Sequence, residues 1–299
     1  MRVILIVGMM AATSAAVAAH AGAADAARTS GWDIAVFLML AAAAALYAIG
    51  SARLSARGAR VRRAERGAFW IGWTALVVAV SPPFDRIVSV LFSAHMAQHE
   101  LLMLVGAPLI VVGRPIVPWL WALPGGIRPA TGAGLKRQFV SKVWRWLTMP
   151  PVAVALHGAI VWLWHAPVLY EAAVRSDAVH ALQHGMFVGS AVCFWWGLVY
   201  GRYGRAGYGA AAFYVFLTSL HTGILGAIFT LSQAPFYSIY AGRTPAVGGD
   251  AGIDQQLAGL YMWIPAGMIL MLAGLGLLVA WLAESDRRAA VRTGAVEWE

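Results

Sequence analysis

Residues 95–99 read His-Met-Ala-Gln-His, and residues 180–184 read His-Ala-Leu-Gln-His. Side chains three and four apart share one face of a helix. Each stretch therefore presents two imidazoles and one amide together. Neutral imidazole is the commonest metal ligand, and a pair at i and i+4 can hold one ion. His95, His99, His180 and His184 are the candidate ligands, with Gln98 and Gln183 placed to fix ring orientation from behind. His165, at the end of "WLWHAP", is a fifth candidate. His157 and His221 stand alone in apolar runs, where a helix-to-helix hydrogen bond explains a histidine as well as metal does. His20 lies in the N-terminal segment and receives no role.

Sulfur and carboxylate extend the set. Met96, His99 and Met103 follow i, i+3, i+7 spacing, and thioether with imidazole suits Cu(I), whereas zinc prefers imidazole, thiolate or carboxylate. A methionine stripe is also ordinary packing. Asp85, Asp177 and Asp254 fall at helix entries, where capping or dipole complementarity accounts for them. Glu100 falls inside an apolar run beside His99, and with Asp254 it remains a possible ligand.

The elements that must position these groups are membrane helices. The 299-residue chain is 61% hydrophobic and 12% charged, whereas a soluble domain is about 45–50% apolar and about 25% charged. Polar residues within spans are costly and usually face the bundle interior, which makes them functional candidates. The single cysteine, Cys193, excludes a disulfide framework and a CxxC motif within this chain. Residues 1–24, with one Arg, a short apolar stretch and Ala-x-Ala options, predict a signal peptide. About 20 apolar residues cross a bilayer. By that rule residues 25–299 form one all-α membrane domain, a seven-helix bundle with spans near 32–51, 67–81, 87–111, 149–166, 178–200, 209–231 and 257–283. Residues 115–124, short and bounded by prolines, read as an interfacial segment.

Loop charge orients the bundle. Six arginines lie between residues 53 and 66. Arg114, Arg128, Lys136, Arg137, Lys142 and Arg145 follow span three, Arg202 and Arg205 follow span five, and Arg287, Arg288 and Arg292 occupy the tail. The alternate loops and N-terminal stretch carry only Arg28, Arg86, Arg175 and Arg243. The positive-inside rule then predicts an external N-terminus and a cytoplasmic C-terminus. The net charge of +9 is topology, and nucleic acid is set aside as a partner. Both His-x-x-Gln-His faces fall in the outer half of the membrane, and His157 lies roughly 12 Å deeper than His165 at 1.5 Å per residue.

The stretches "SPPFDRIVSVLFSAHMAQHELLMLVGAPLIVVGRP", "WLWHAPVLYEAAV", "HALQHGMFVGSAVCFWW" and "DQQLAGLYMWIPAG" resemble, in order, the signature stretches of the CtaG-type cytochrome c oxidase assembly factors. This is the bacterial multi-span family; the single-span copper chaperone of the same name depends on a cysteine pair that this chain lacks. The resemblance covers roughly residues 67–283. It implies a bacterial inner-membrane protein that helps mature a haem-copper oxidase, an assembly role rather than an enzymatic one. Copper is the implied cargo, with zinc as the alternative. Oxidase subunits or other copper-handling assembly proteins are the implied partners. The matching polar positions are His95, Gln98, His99, His165, His180, His184 and Asp254.

Other classes remain to be weighed. A seven-span zinc hydrolase would bind zinc through three of the histidines and use Glu100 or Asp254 as base. A bis-His haem b protein would take one axial ligand from each helix. A retinal protein needs an intramembrane lysine; Lys136 and Lys142, the only lysines, lie in a predicted cytoplasmic loop, which excludes it.

Overall fold

The computed structural model of the chain describes residues 31–201 and 207–292. The predicted signal peptide at 1–24 lies outside them. Every regular element among the described residues is a helix. Helix α1 (Gly31–Ser55) leads into α2 (Arg63–Ala79) and the short α3 (Pro82–Val88). Next comes a continuous run of α4 (Phe92–Glu100), a π-helical segment (Leu101–Gly106) and α5 (Ala107–Gly113). Three short helices follow, α6 (Ile116–Ala122), α7 (Arg128–Leu135) and α8 (Gln138–Leu147). Then α9 (Pro150–Trp164), α10 (Pro167–Arg175) and α11 (Asp177–Tyr200) precede α12 (Gly207–Leu231), α13 (Ser238–Ala246) and α14 (Ala251–Arg292).

Four helical runs are long and apolar enough to cross a membrane: Gly31–Ser55, Phe92–Gly113, Tyr208–Leu231 and Ala251–Asp286. The count reaches six if two bent pairs are each one span. One pair is α2 with α3, bent by 53°, and the other is α8 with α9, bent by 68°. Both bends fall at proline pairs, Pro82-Pro83 and Pro150-Pro151. Proline suits a helix's first turn but cannot extend the helix before it. The seventh expected span is α11, whose 24 residues are long enough. It is not among the apolar runs, because His180, Gln183 and His184 dilute its hydropathy. Its polar stretch is instead turned into the protein, where Gln183, Phe187, Ser190 and Ala191 are buried.

The His-bearing run is enclosed and the last helix is peripheral. Half of the Phe92–Gly113 apolar window, 50%, is buried, against 11% for Ala251–Asp286. Exposed Leu272, Val279 and Leu282 give α14 an apolar outer face, as lipid contact requires. On its inner side α14 meets α12 at a glycine crossing. A Cβ on Gly259 would stand 2.4 Å from the Gly226 carbonyl oxygen and 2.3 Å from Thr230 Oγ1. Small residues let two membrane helices approach this closely. Residues 115–124, read from sequence as interfacial, form α6 packed against α1. There Trp119 Nε1 donates to the Ala43 carbonyl at 2.9 Å, and Arg53 Nη1 to that of Ala122 at 2.6 Å.

Candidate metal centre

Helices α4 and α11 turn their His-x-x-Gln-His faces toward each other. His95 and His180 have ring centroids 5.0 Å apart, and His99 and His184 5.6 Å. Taking one ring nitrogen from each of the four, these atoms lie within 4.8 Å of one another. His95 and His99 are 1% and 2% exposed. Five ring nitrogens at the centre have no hydrogen-bond partner: His95 Nε2, both nitrogens of His99, His180 Nε2 and His184 Nε2. A buried polar atom left unsatisfied costs about 1–3 kcal/mol. A bound cation would engage one nitrogen from each of the four rings and so remove most of that standing penalty.

The tautomer of His95 follows from its outer partners. His95 Nδ1 lies 2.7 Å from the Tyr170 hydroxyl and 3.1 Å from that of Tyr240. The two hydroxyls are 3.2 Å apart, and Tyr240 reaches the Val88 carbonyl at 3.2 Å. A carbonyl only accepts, so Tyr240 donates to Val88. Tyr170 then donates either to Tyr240 or to His95 Nδ1, and the tautomer assigned to a metal-binding His95 is the first, with Nδ1–H donating to Tyr170. That order satisfies every member and leaves the Nε2 lone pair facing the other histidines. Burial holds the phenols of Tyr170, Tyr237 and Tyr240 above their ordinary range, so they remain protonated.

These tyrosines form a roof. Helices α10 and α13 lie across the end of the bundle and stack Tyr170 on Tyr237 at 4.0 Å, with Phe92 beneath at 4.9 Å from Tyr237. Glu171 of α10 accepts from the Ser238 hydroxyl of α13 at 2.8 Å and also pairs with Arg175. The Ser238 hydrogen bond, and then Arg175, hold the Glu171 carboxyl below its usual value. Thr244 of α13 donates to the Val90 carbonyl at 2.9 Å, fixing the roof to the turn before α4.

On the open side, His180 Nδ1 lies 3.8 Å from Asp85 Oδ1. Gln98 is fully buried; its Nε2 donates to the Ala79 carbonyl at 2.7 Å and approaches Asp85 Oδ1 at 3.4 Å. It ties α4 to α2. Gln183 is fully buried with neither amide atom hydrogen-bonded. His180 and His184 line a cleft of about 400 Å³ between α1, α2 and α11.

Other predicted positions sit apart from the four-histidine group. His165 comes near, its ring centroid 6.1 Å from His99, but its Nδ1 donates to the Val161 carbonyl at 2.7 Å and its Nε2 faces Met96 Sδ at 3.4 Å. Asp254 acts as a cap for another helix. Its carboxylate accepts from the backbone N–H of Phe92 at 2.6 Å, from that of Ser93 at 3.3 Å and from the Ser93 hydroxyl, which closes the N-terminus of α4. Met103 and Glu100 line a separate small cavity with His157, Thr218 and Thr222. Glu100 turns away from His99 as any adjacent helical residue does, and the π-helical segment that begins at Leu101 explains the position of Met103. A wider turn rotates each residue less, so the i, i+7 stripe expected of an α-helix falls out of step. His157 shares a hydrogen bond with Ser190 at 3.0 Å, and the Gly158 Cβ position lies 3.3 Å from His221 Nε2. These groups form a deeper polar layer. Tyr170 and Tyr240 carried no signal in sequence, since tyrosines near a membrane surface read as interfacial anchors.

A family model for cytochrome c oxidase caa3 assembly factors matches residues 45–284. An uncharacterized protein of Mycobacterium bovis is 26% identical over 252 residues, 82% of this chain and 38% of the relative. One of Mycobacterium leprae is 26% identical over 246 residues, 78% of this chain and 37% of the relative. The chain thus spans under two fifths of the curated relatives it matches. No solved structure matches it.

Proposed function

The chain belongs to the cytochrome c oxidase caa3 assembly factor family, and from that premise we propose that it handles copper for a haem-copper oxidase. The supporting observation is the set of unpartnered imidazole nitrogens on His95, His99, His180 and His184. On this reading the bundle crosses a bacterial inner membrane seven times, α11 included, with its N-terminus outside and its C-terminus in the cytoplasm. Copper is the cargo and oxidase subunits are the clients. The site's donors are neutral, which suits Cu(I) and also zinc; the family favours copper. Metal–nitrogen bonds of about 2.0–2.1 Å bring tetrahedral ligands to within about 3.4 Å of each other. Binding would therefore draw the rings inward from their 4.8 Å spread.

The other classes lose support at particular residues. Asp254 is committed to the α4 N-terminus and Glu100 lines another cavity, so a hydrolase loses both bases that sequence offered. Rings from the two helices pack directly on each other, so a porphyrin would have to separate the helices.

The test is metal analysis of detergent-purified protein alongside membrane abundance and oxidase activity of His95→Ala, His99→Ala, His180→Ala and His184→Ala. The proposal expects near-stoichiometric copper in the wild type, none in the variants, and lost oxidase activity at normal abundance. Excess copper should partly restore the milder variants. Activity that falls only in proportion to abundance would mean the histidines are structural. Stoichiometric zinc in place of copper would overturn the copper reading.

A further inference from the structure

His95 is capped by Tyr170 and Tyr240, and His99 is buried among His95, His165, His184 and Phe187, whereas His180 and His184 are the members of the cluster that reach a cleft. Both of these line the cleft, whose walls are otherwise apolar, including Leu40 of α1 and Leu76 of α2. Three carboxylates, Asp33, Asp85 and Asp177, also line it, and no lysine or arginine among the described residues does. They arrive from three separate places: the first turn of α1, the start of α3 and the first residue of α11. Of the three, Asp85 stands beside His180, its Oδ1 3.8 Å from the ring Nδ1. Helix-dipole complementarity explains an acid at one helix start. It does not explain why three such starts converge on one cleft that ends at unpartnered imidazoles.

We infer that this cleft is the loading port of the histidine cluster, where Asp33 and Asp177 attract a metal cation at the rim and Asp85 passes it to His180. The inference rests on the metal-handling reading and adds the route and the residues that govern it. Charge of one sign in a cleft with low-dielectric walls focuses the field and raises the cation encounter rate by about 10- to 1,000-fold, falling with ionic strength. His180 stands first in line because Asp85 is 3.8 Å away and its Nε2 is unpartnered. From there the other three imidazoles lie within 4.8 Å. No covalent or redox step is involved; carboxylate oxygens are exchanged for imidazole nitrogens around the same ion.

The experiment uses Ag(I), a redox-inert stand-in for Cu(I), mixed by stopped flow with the detergent-purified full chain and followed by tryptophan fluorescence. Asp33→Asn/Asp177→Asn should slow loading about tenfold or more at low salt while the bound stoichiometry at saturation is unchanged. Both residues sit in the first turn of a helix rather than at its N-cap, so asparagine removes a favourable charge–dipole interaction, and unfolding of the double variant measured alongside separates steering from helix stability. Wild-type loading should itself slow as salt rises from about 10 to 300 mM, and this dependence should flatten in the double variant. A steric arm needs no charge change. Gly185 lines the cleft with open space at its Cβ position, so Gly185→Leu should slow loading without unfolding the protein. If the wild type binds silver through His95 and His99 yet loads independently of salt, and Gly185→Leu loads at the wild-type rate, the port is refuted and the site survives. If His95→Ala/His99→Ala binds as much silver as the wild type, the site itself is refuted.

Discussion

Asp254 offers the sharpest separation of a positioning role from a ligand role. It lies on α14, 6% exposed, and its carboxylate closes the N-terminus of α4 across 161 residues of sequence. The first backbone N–H groups of a helix have no intrahelical acceptor, and here two of them, with the Ser93 hydroxyl, point at one carboxylate. Hydrogen bonds to a charged acceptor are worth about 1.5–3 kcal/mol each. The N–H contact at 3.3 Å is long enough to count for little. Asp254→Ala should therefore cost about 3–6 kcal/mol, one full charge-assisted bond from Phe92 and one from Ser93. Asp254→Asn keeps one oxygen acceptor and loses the charge, so its cost should be about 1–2 kcal/mol.

Equilibrium unfolding of the purified protein in mixed micelles gives these differences, and copper stoichiometry is read on the same samples. The expected order is wild type, then Asn, then Ala in stability, with copper retained by the Asn variant because no ligand is lost. His95 lies three residues after Phe92, so the Ala variant should also bind copper less tightly as the first turn of α4 frays. If Asp254→Asn abolishes copper binding with unchanged stability, Asp254 is a ligand and the capping argument fails. Equal stability of all three proteins would refute the energetic reasoning directly.

Tyr170→Phe removes the acceptor of His95 Nδ1–H, and such outer partners are worth about 10- to 100-fold in metal affinity. Competition with a copper chelator should show that loss at near-normal protein abundance. Gly259→Ala places a Cβ 2.4 Å from the Gly226 carbonyl, and overpacking of this kind costs about 1–3 kcal/mol; reduced unfolding resistance should appear without loss of metal ligands. Glu171 is held below its unfolded value, so its contribution is present above the unfolded pKa, near 4.3, and is lost as pH falls through the folded value. Glu171→Gln should weaken roof docking at pH 7, seen as faster amide exchange in residues 238–246, and the difference from wild type should vanish in acid. Cysteine labelling in a Cys193→Ala background should leave residues 52–66 inaccessible to an impermeant reagent in intact cells and residues 232–256 accessible; the reverse pattern would overturn the orientation.

The four histidines were legible because i and i+4 spacing fixes a shared helix face whatever the rest of the fold does, and two copies of one polar face point to each other. The helices themselves were legible from apolar length, except where α11 exchanges hydropathy for polar residues that the bundle interior hides. Three features were not legible. Nothing in residues 101–106 announces a π-helical turn, so i, i+7 spacing places Met103 on a face it does not share with His99. Asp254 stands in the first turn of its own long helix, and local reasoning assigns its carboxylate there rather than to Phe92 and Ser93. The roof depends on Tyr170 and Tyr240, 70 residues apart in sequence, meeting over His95, a pairing that only the fold creates.

The makeup of the four-histidine group bears on what such a site can do for a passing ion. Neutral imidazoles leave the charge of a bound cation uncompensated, and in a low-dielectric setting that weakens binding relative to thiolate or carboxylate ligands. The nearest carboxylate, Asp85, stands beyond hydrogen-bonding distance of His180 at 3.8 Å, close enough to offset charge without joining the ligand set. A permanent cofactor site gains from anionic ligands; a transfer site gains from their absence, because the client must be able to take the ion away. The proposal therefore carries a consequence for substitution toward tighter binding. His184→Cys would supply a thiolate at the cleft-lining edge of the cluster. It should raise copper affinity in the chelator competition while lowering assembled oxidase activity at unchanged protein abundance. Activity that rose with affinity would mean that the copper is resident rather than in transit.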